Sequence, residues 1–459
     1  MKNYDLIIIG AGRASNLAVK ASKLGKKVAL IEKSALGGTC PNRGCVPSKL
    51  LIGYAHVARA IKESKKHFIE ASIQNIDLEK IFEESNAYVN GIDSVYKNKF
   101  NENVTVYKGN ASFLNNTTVK VNNEELSAKI IVIATGTRPI APEHQKAWSS
   151  DDLFPLKTRV PKSITIVGSG FIACELANFF DAVGIKTKLL VRSNTLLKNE
   201  DAYISDIFKK EFSKNIDIDF ETTLEDVQYS KNEFTMKLKH KNKTSTLHKS
   251  EALLYATGRI ANTDTLELEN TDIKIKANGF IKRDAFFQSS VKGVYVVGDA
   301  SGEHMLQHAA AYEVNYLYKI LFANEKKPLA FKYMPHAVFT DPEIASVGYT
   351  QEELDSNKRV YVSSTTNWLA SAKAMSTKRT YPRTKLLVDP ASYEILGCHL
   401  IGPESSTLMH QILAVMHINN DVRHLKDMLY IHPALSEAIL PAAVKVMEAV
   451  NNYKEKSQA

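Results

Sequence analysis

The sequence predicts an α/β protein with two dinucleotide-type βαβ units and a separate C-terminal α+β domain. Three observations predict it. A glycine turn set between a short apolar strand and a helix occurs twice, at Gly10 and at Gly168. Each copy closes on the same tripeptide, first Ala134-Thr135-Gly136 and then Ala256-Thr257-Gly258. From Met334 onward strands alternate with helices and no glycine fingerprint appears. The expected divisions are 1–145 for the first unit and 146–264 for the second. Residues 265–333 return to the first unit through a buried strand at Val294–Val297 that ends in Gly298-Asp299, and 334–459 form the C-terminal domain.

The first unit opens with Tyr4–Ile9, a nearly continuous apolar run expected for one buried parallel strand. Gly10-Ala11-Gly12-Arg13-Ala14-Ser15 follows, then a helical pattern through Leu24 and a second strand at Lys27–Ile31 that ends at Glu32. The first glycine permits the tight turn, and the second lets the backbone approach a pyrophosphate. The third small residue, here Ser15, lets helix and strand pack closely. A pyrophosphate then meets free N–H groups and about half a positive charge at the helix N-terminus. Glu32 lies 20 residues beyond Gly12, placed to accept hydrogen bonds from both ribose hydroxyls of an adenosine.

The second unit repeats this grammar: Ile164–Val167, then Gly168-Ser169-Gly170-Phe171-Ile172-Ala173, a helix through Val183 and a strand at Thr187–Val191. Val191 stands where Glu32 stands in the first copy. Arg192 follows it, and Lys198 lies six residues further on. A missing carboxylate with cations nearby suits a 2′-phosphate and favours NADPH over NADH.

The 459 residues exceed one ordinary core, so about two to four domains are expected. Hydrophobic residues at 44% and charged residues at 24% are ordinary for a soluble globular chain. No apolar run approaches the roughly 18 residues that span a bilayer. The apolar stretch Leu6–Ile9 is too short for a secretion signal and runs straight into the glycine turn, so a cytoplasmic location is expected. The net charge of +9 is dispersed, and no clustered basic face with interleaved aromatics calls for nucleic acid. The densest run, Lys237–Lys249, reads as a solvated strand face. A modest basic bias helps draw in anionic nucleotides.

Only four cysteines occur, and Cys40 and Cys45 lie five apart in Gly37-Gly38-Thr39-Cys40-Pro41-Asn42-Arg43-Gly44-Cys45-Val46-Pro47-Ser48-Lys49. An apolar helical run follows over Leu50–Ile61. If the pair straddles the start of that helix, the helix dipole lowers a thiol pKa. No second Cys or His pair stands nearby at zinc spacing, so no metal is expected. A purely structural pair does not fit a cytosolic chain. Cys174 and Cys398, in apolar surroundings, read as small core residues.

These segments together resemble the class I pyridine nucleotide–disulfide oxidoreductases, the family of dihydrolipoamide dehydrogenase, glutathione reductase and mercuric reductase. The resemblance covers essentially the whole chain. It includes both glycine turns, both Ala-Thr-Gly segments, Gly298-Asp299 and Tyr430-Ile-His-Pro-Ala-Leu-Ser-Glu437. It implies FAD on the first unit, contacted by Gly10, Gly12, Ser15, Glu32, Gly38, Thr39, Ala134, Thr135 and Gly136. Gly298, Asp299, Leu306, Gln307 and His308 complete that set, with Asp299 on the ribityl chain. It implies NADPH or NADH on the second unit, at Gly168, Gly170, Phe171, Ala173, Arg192, Lys198 and Gly258. Phe171 takes the place often held by a tyrosine that swings aside for nicotinamide. Cys40 is then the interchange thiol and Cys45 the flavin-side thiolate, with Lys49 near the flavin and paired with Glu175. His432, oriented by Glu437, is the acid/base for Cys40 across a homodimer interface. A His–carboxylate pair suits that job because imidazole titrates near neutral pH. Taken alone, His432 before Pro433 reads as structural; the cysteine motif and Glu437 reverse that reading.

The implied activity is that of a sulfur-acting flavoprotein (EC 1.8.1 type) working on a small-molecule or lipoyl-type dithiol/disulfide. Met305-Leu306-Gln307-His308 and Phe339-Thr-Asp-Pro-Glu-Ile-Ala345 resemble the dihydrolipoamide dehydrogenase branch, whereas the Val191–Arg192 pattern points to NADPH. The alternatives are an NADPH-dependent, glutathione reductase-like enzyme, a flavin oxidase or quinone reductase with idle cysteines, and a non-catalytic FAD-binding scaffold. The tail Asn451–Ala459 has no cysteine pair, against mercuric reductase and the large thioredoxin reductases. Ala434 stands where the histidine motif commonly has threonine.

Overall fold

The computed structural model describes residues 1–156 and 159–458. The chain opens with β1 (Lys2–Tyr4) and β2 (Leu6–Ile9), then α1 (Ser15–Lys23) and β3 (Val28–Glu32). Next come α2 (Thr39–Arg43), α3 (Cys45–Glu63), α4 (Leu78–Lys97) and β4 (Val104–Lys108). A meander of β5 (Ala111–Asn115), β6 (Thr118–Val121) and β7 (Glu124–Ala128) leads to β8 (Ile131–Ile133) and β9 (Thr137–Pro139).

The second unit runs from β10 (Trp148–Ser149) through β11 (Ser163–Val167), α5 (Phe171–Ala182), β12 (Lys186–Val191), α6 (Ala202–Phe212) and β13 (Asp217–Phe220). Its meander is β14 (Thr222–Ser230), β15 (Glu233–His240) and β16 (Ser245–Ser250), followed by β17 (Ala252–Tyr255) and β18 (Arg259–Ala261). The chain then returns to the first unit through β19 (Val294–Val296) and α7 (Gln307–Phe322).

The internal repeat appears as two parallel sheets of matching order. The first is β19-β8-β2-β3-β4 and the second is β10-β17-β11-β12-β13. The edge strand differs in origin: β19 comes from beyond the second unit, so the first unit is closed only when the chain returns. Along β2 the side chains alternate between two cores. Ile7 and Ile9 face the meander with Phe113 and Val119, while Leu6 and Ile8 face α1 and α7 with Leu17 and Leu317. Burial on both faces explains the continuous apolar run.

Its hydrophobicity predicts one strand over Tyr4–Ile9, but the run breaks at Asp5, whose Oδ2 accepts the Lys27 N–H at 2.8 Å. β1 pairs instead with β7 in a separate sheet ordered β1-β7-β6-β5. The Lys237–Lys249 stretch falls on β15 and β16. Lys237 and Lys239 point outward to Glu225, and Met236 and Leu238 point inward.

The C-terminal region contains β20 (His336–Val338), β21 (Ile344–Gly348), α8 (Gln351–Ser356), β22 (Val362–Asn367), α9 (Ala372–Met375), β23 (Arg383–Val388) and β24 (Ile395–Ile401). It ends with α10 (Ser405–Ile418), α11 (Arg423–Asp427) and α12 (Leu440–Gln458). The antiparallel sheet order is β20-β21-β24-β23-β22. A polar tail such as Lys454–Ala459 is expected to fray, yet α12 continues to Gln458. Lys454 Nζ anchors the last turn on Tyr393, 2.7 Å from its hydroxyl and 4.0 Å from the ring centre. Ala459 lies outside the described residues. Among the described residues no helix is long and apolar enough to cross a membrane.

One apolar cluster joins all three regions and fixes the site. Leu51 and Ala55 of α3, Phe82 of α4, Cys174 and Phe179 of α5, and Ile344 of β21 share it. The helix that begins at Cys45 is therefore packed directly on the helix that carries Glu175. Cys174 and Cys398 are fully buried in these cores, as expected.

Candidate active site

Each glycine turn is held by its own tripeptide. Gly10 has φ +104°, and a Cβ there would meet the Ala134 carbonyl oxygen at 2.3 Å. Gly168 has φ +146°, and its Cβ would meet the Ala256 oxygen at 2.4 Å. The tripeptides thus sit where any side chain would close the turn. The residues after them pair as β9 and β18, with Ala261 opposite Thr137. Sequence reasoning noted the tripeptides and missed the hydrogen-bonded side chains just beyond them. Arg259 Nε donates to Thr137 Oγ1 at 2.8 Å, and Thr137 Oγ1 donates to Asp299 Oδ2 at 2.9 Å. Burial raises the Asp299 pKa against the pull of Thr137 and Arg259. The symmetry of the two post-tripeptide segments was the available signal.

A cavity of about 460 Å³ runs along this seam. Its wall includes Gly10, Gly12, Glu32, Gly38, Thr39, Ala134, Thr135, Gly136, Gly298, Asp299 and Gln307, as well as Cys40, Cys45, Lys49, Phe171 and Glu175. Ser15 sits behind the wall, buried, with Oγ donating to the Gly12 carbonyl at 2.7 Å. Leu306 and His308 are not on the wall. Leu306 caps α7, and His308 Nε2 lies 2.8 Å from the Pro335 carbonyl. Gly168, Gly170, Ala173, Arg192, Lys198 and Gly258 also lie off this cavity, around the second turn. There Ala173 is buried behind Gly168, while Arg192 and Lys198 are exposed.

The residues present fit a dinucleotide diphosphate. Arg13, which sequence reasoning passed over, lines the cavity beside the N-terminus of α1. Its Nε is buried without a hydrogen-bond partner, and among the described residues it forms no ion pair. A cation beside the positive end of a helix is unfavourable until an anion joins them. At the end of β3, Glu32 accepts the Ala11 N–H at 2.8 Å and the Ser34 N–H at 2.7 Å. That holds its carboxylate at the cavity wall.

The cysteine pair lies at a helix junction. Cys40 is in α2, and Cys45 is the first residue of α3, after Gly44. The buried Asn42 holds the loop, donating to the Leu36 and Gly38 carbonyls at 2.8 and 2.9 Å. The two thiols influence each other's titration. The hydrogen bond from Cys40 lowers the Cys45 pKa to about 6, with further help from Lys49 against the cost of burial. The same hydrogen bond and burial push the Cys40 thiol up. The thiolate therefore settles on Cys45, which is where the helix start also favours it.

Lys49, one turn further along α3, pairs with the buried Glu175 at 2.6 Å. Arg43, between the cysteines, stands 3.7 Å from Asp151. At the far end of the chain, His432 Nδ1 bonds Glu437 Oε1 at 2.8 Å, and Glu437 Oε2 accepts the Ala434 N–H at 2.8 Å. The His432 bond holds the Glu437 carboxyl below its usual range. The His432 side chain is 76% exposed and is not on the wall of its own chain's cavity. Beside it Leu429 and Ile431 are 96% and 78% exposed.

The chain belongs to the pyridine nucleotide–disulphide oxidoreductase family, whose model matches residues 4–313, and the family's dimerisation domain matches residues 334–443. Family members are FAD-dependent oxidoreductases that act on sulfur groups with NAD(P)H. The chain is 30% identical over 451 residues to a dihydrolipoyl dehydrogenase of Buchnera aphidicola subsp. Schizaphis graminum, covering 95% of this chain and 94% of that one. It is 31% identical over 451 residues to a mercuric reductase of Lysinibacillus sphaericus, covering 96% and 82%. Among solved structures it is similar to the HOCl-induced flavoprotein disulfide reductase RclA from Escherichia coli. The TM-score is 0.85 at 26% identity, covering 96% of this chain and 100% of that one.

Proposed function

We propose that the protein is a homodimeric, lipoamide dehydrogenase-like NAD(P)H:disulfide oxidoreductase working through Cys40 and Cys45. The observation that carries this reading is the placement of Cys40 and Cys45 on one cavity wall beside the Lys49–Glu175 ion pair, with the Cys45 thiol pKa held low by its neighbours. When bound, FAD supplies the two-electron relay between nicotinamide and this pair. Glycine turn, Arg13 and Glu32 would hold its diphosphate and ribose, and Lys49 would face its ring.

In the reductive direction the Cys40 sulfur attacks one sulfur of an external disulfide. The other sulfur leaves as a thiol, taking its proton from His432. That proton is the one His432 accepted from the Cys40 thiol; the Cys45 thiolate then attacks Cys40, re-forms the internal disulfide and releases the second sulfur as a thiolate, which takes a proton from solvent. Dihydrolipoamide oxidation is the same sequence in reverse. His432 belongs on a second copy of the chain, because its own cavity lies elsewhere and its surroundings are an exposed apolar face. Glu437 fixes the imidazole tautomer.

Met305 to His308 supports the lipoamide branch. Val191 at the strand end, with exposed Arg192 and Lys198, supports NADPH, and so keeps a low-molecular-weight disulfide reductase as the second reading. Steady-state rates with NADH and NADPH against lipoamide and glutathione disulfide separate them. Lipoamide turnover is expected to exceed glutathione disulfide turnover by at least about tenfold, and the reverse order overturns the first reading.

A further inference from the structure

The C-terminal domain reaches the Lys49–Glu175 ion pair beside the cysteines of its own chain through Phe339. Phe339, immediately after β20, donates its backbone N–H to Glu175 Oε1 at 3.0 Å. Its ring lies 4.8 Å from Lys49 Nζ. Glu175 Oε2 receives Lys49 at 2.6 Å. Phe339 thus touches both members of the ion pair, yet it is half-buried and not on the cavity wall.

Both contacts meet a physical need. Glu175 is 4% exposed, and a carboxylate so buried requires partners for both oxygens. The Lys49 side chain remains 32% exposed, so one ion pair alone leaves its long stem free to swing. An aromatic face under the ammonium adds a second, cation–π hold and restricts it to one direction.

We propose that Phe339 is a positioning residue that fixes the Lys49 ammonium toward Cys45, so that the C-terminal domain tunes the inner thiol of its own chain. This rests on the reading of Cys45 as the inner member of the redox pair. The groups that act most strongly on Cys45 are Cys40 from α2, Lys49 from α3 and Glu175 from α5, while Arg13, on the same cavity wall, acts on Cys40. Lys49 is the cation acting directly on Cys45, so its placement contributes to how far the thiolate is favoured beyond the Cys40 hydrogen bond. Losing the ring leaves the backbone bond to Glu175 in place and removes only the second hold on Lys49.

The test uses the flavin-loaded protein in a Cys40→Ser background, with Phe339 kept or changed to Leu or Tyr. The readout is the pH dependence of Cys45 alkylation by iodoacetamide, quantified by mass spectrometry. Phe339→Leu is expected to raise the midpoint by about half a pH unit. Phe339→Tyr, which keeps the ring, is expected to leave it within about a tenth of a unit. An unchanged midpoint in Phe339→Leu overturns the proposal, as does an equal displacement in Phe339→Tyr. If Phe339→Leu does not fold, Phe339→Met carries the same comparison. Failure of the underlying reading shows separately: NAD(P)H would then uncover no thiols in the unmutated protein.

Discussion

At Cys45 the mutual influence of two thiols decides the chemistry. The Cys40 hydrogen bond and Lys49 together bring this thiol to about 6, whereas a free thiol titrates near about 8.5. The lowered value means the thiolate persists as pH falls to about 6 and is protonated below it. Iodoacetamide labelling of Cys45 in the reduced protein should therefore keep its rate from about pH 8 down and halve near pH 6. A midpoint at or above that of an ordinary thiol would remove Cys45 as the inner member of the pair. The cysteine pair stood out in its own motif, whereas the Lys49–Glu175 and His432–Glu437 pairings, which the geometry brings together, were implied only by the resemblance to the family. Arg13, Thr137 and Arg259 were not singled out. The contacts of Thr137 and Arg259 cross from one repeat to the other, and only the paired β9 and β18 bring them to one place. Arg13 stands out only once its buried, unpartnered Nε is seen at the cavity wall.

The elements carry the repeat, and their glycines make it testable. Gly168→Ala puts a methyl group against the Ala256 carbonyl at a φ that disfavours it, at about 1–3 kcal/mol. The expected outcome is a KM for the nicotinamide nucleotide raised about tenfold or more, with flavin content unchanged. Gly10→Ala, against Ala134, should instead lose flavin on purification. Loss of flavin from Gly168→Ala would contradict the assignment of the second turn. Strand and helix periods placed the βαβ core of each unit and left α4 (Leu78–Lys97), α6 (Ala202–Phe212) and the individual meander strands unplaced. The misread ones each trace to a single contact made far along the chain. Asp5, through its bond to Lys27, turns one apolar run into two strands. Lys454 on Tyr393 keeps a polar tail helical through a contact made 61 residues away.

On the scale of the whole molecule, the proposed mechanism divides the site between copies of the chain. His432 is exposed beside Leu429 and Ile431, and it stands apart from the cavity that holds Cys40. Mixing the His432→Ala and Cys40→Ser proteins under conditions that exchange subunits should therefore restore disulfide turnover. A two-fold dimer predicts about a quarter of the unmutated rate, since half of the dimers carry one intact site. No recovery, with exchange verified by native mass spectrometry, would place the histidine in the same chain as its cysteine. The dimer was legible only as an implication of family resemblance. Nothing in the spacing of residues 428–437 states which surface meets them.

The central claim is that two electrons from nicotinamide come to rest on the two sulfurs. The direct measurement is anaerobic addition of one equivalent of NADPH or NADH, an acid quench, and alkylation mapped by mass spectrometry. The account predicts new label on both Cys40 and Cys45, none added at the buried Cys174 and Cys398, and a largely oxidised flavin. A bleached flavin with Cys40 and Cys45 still unlabelled would contradict it.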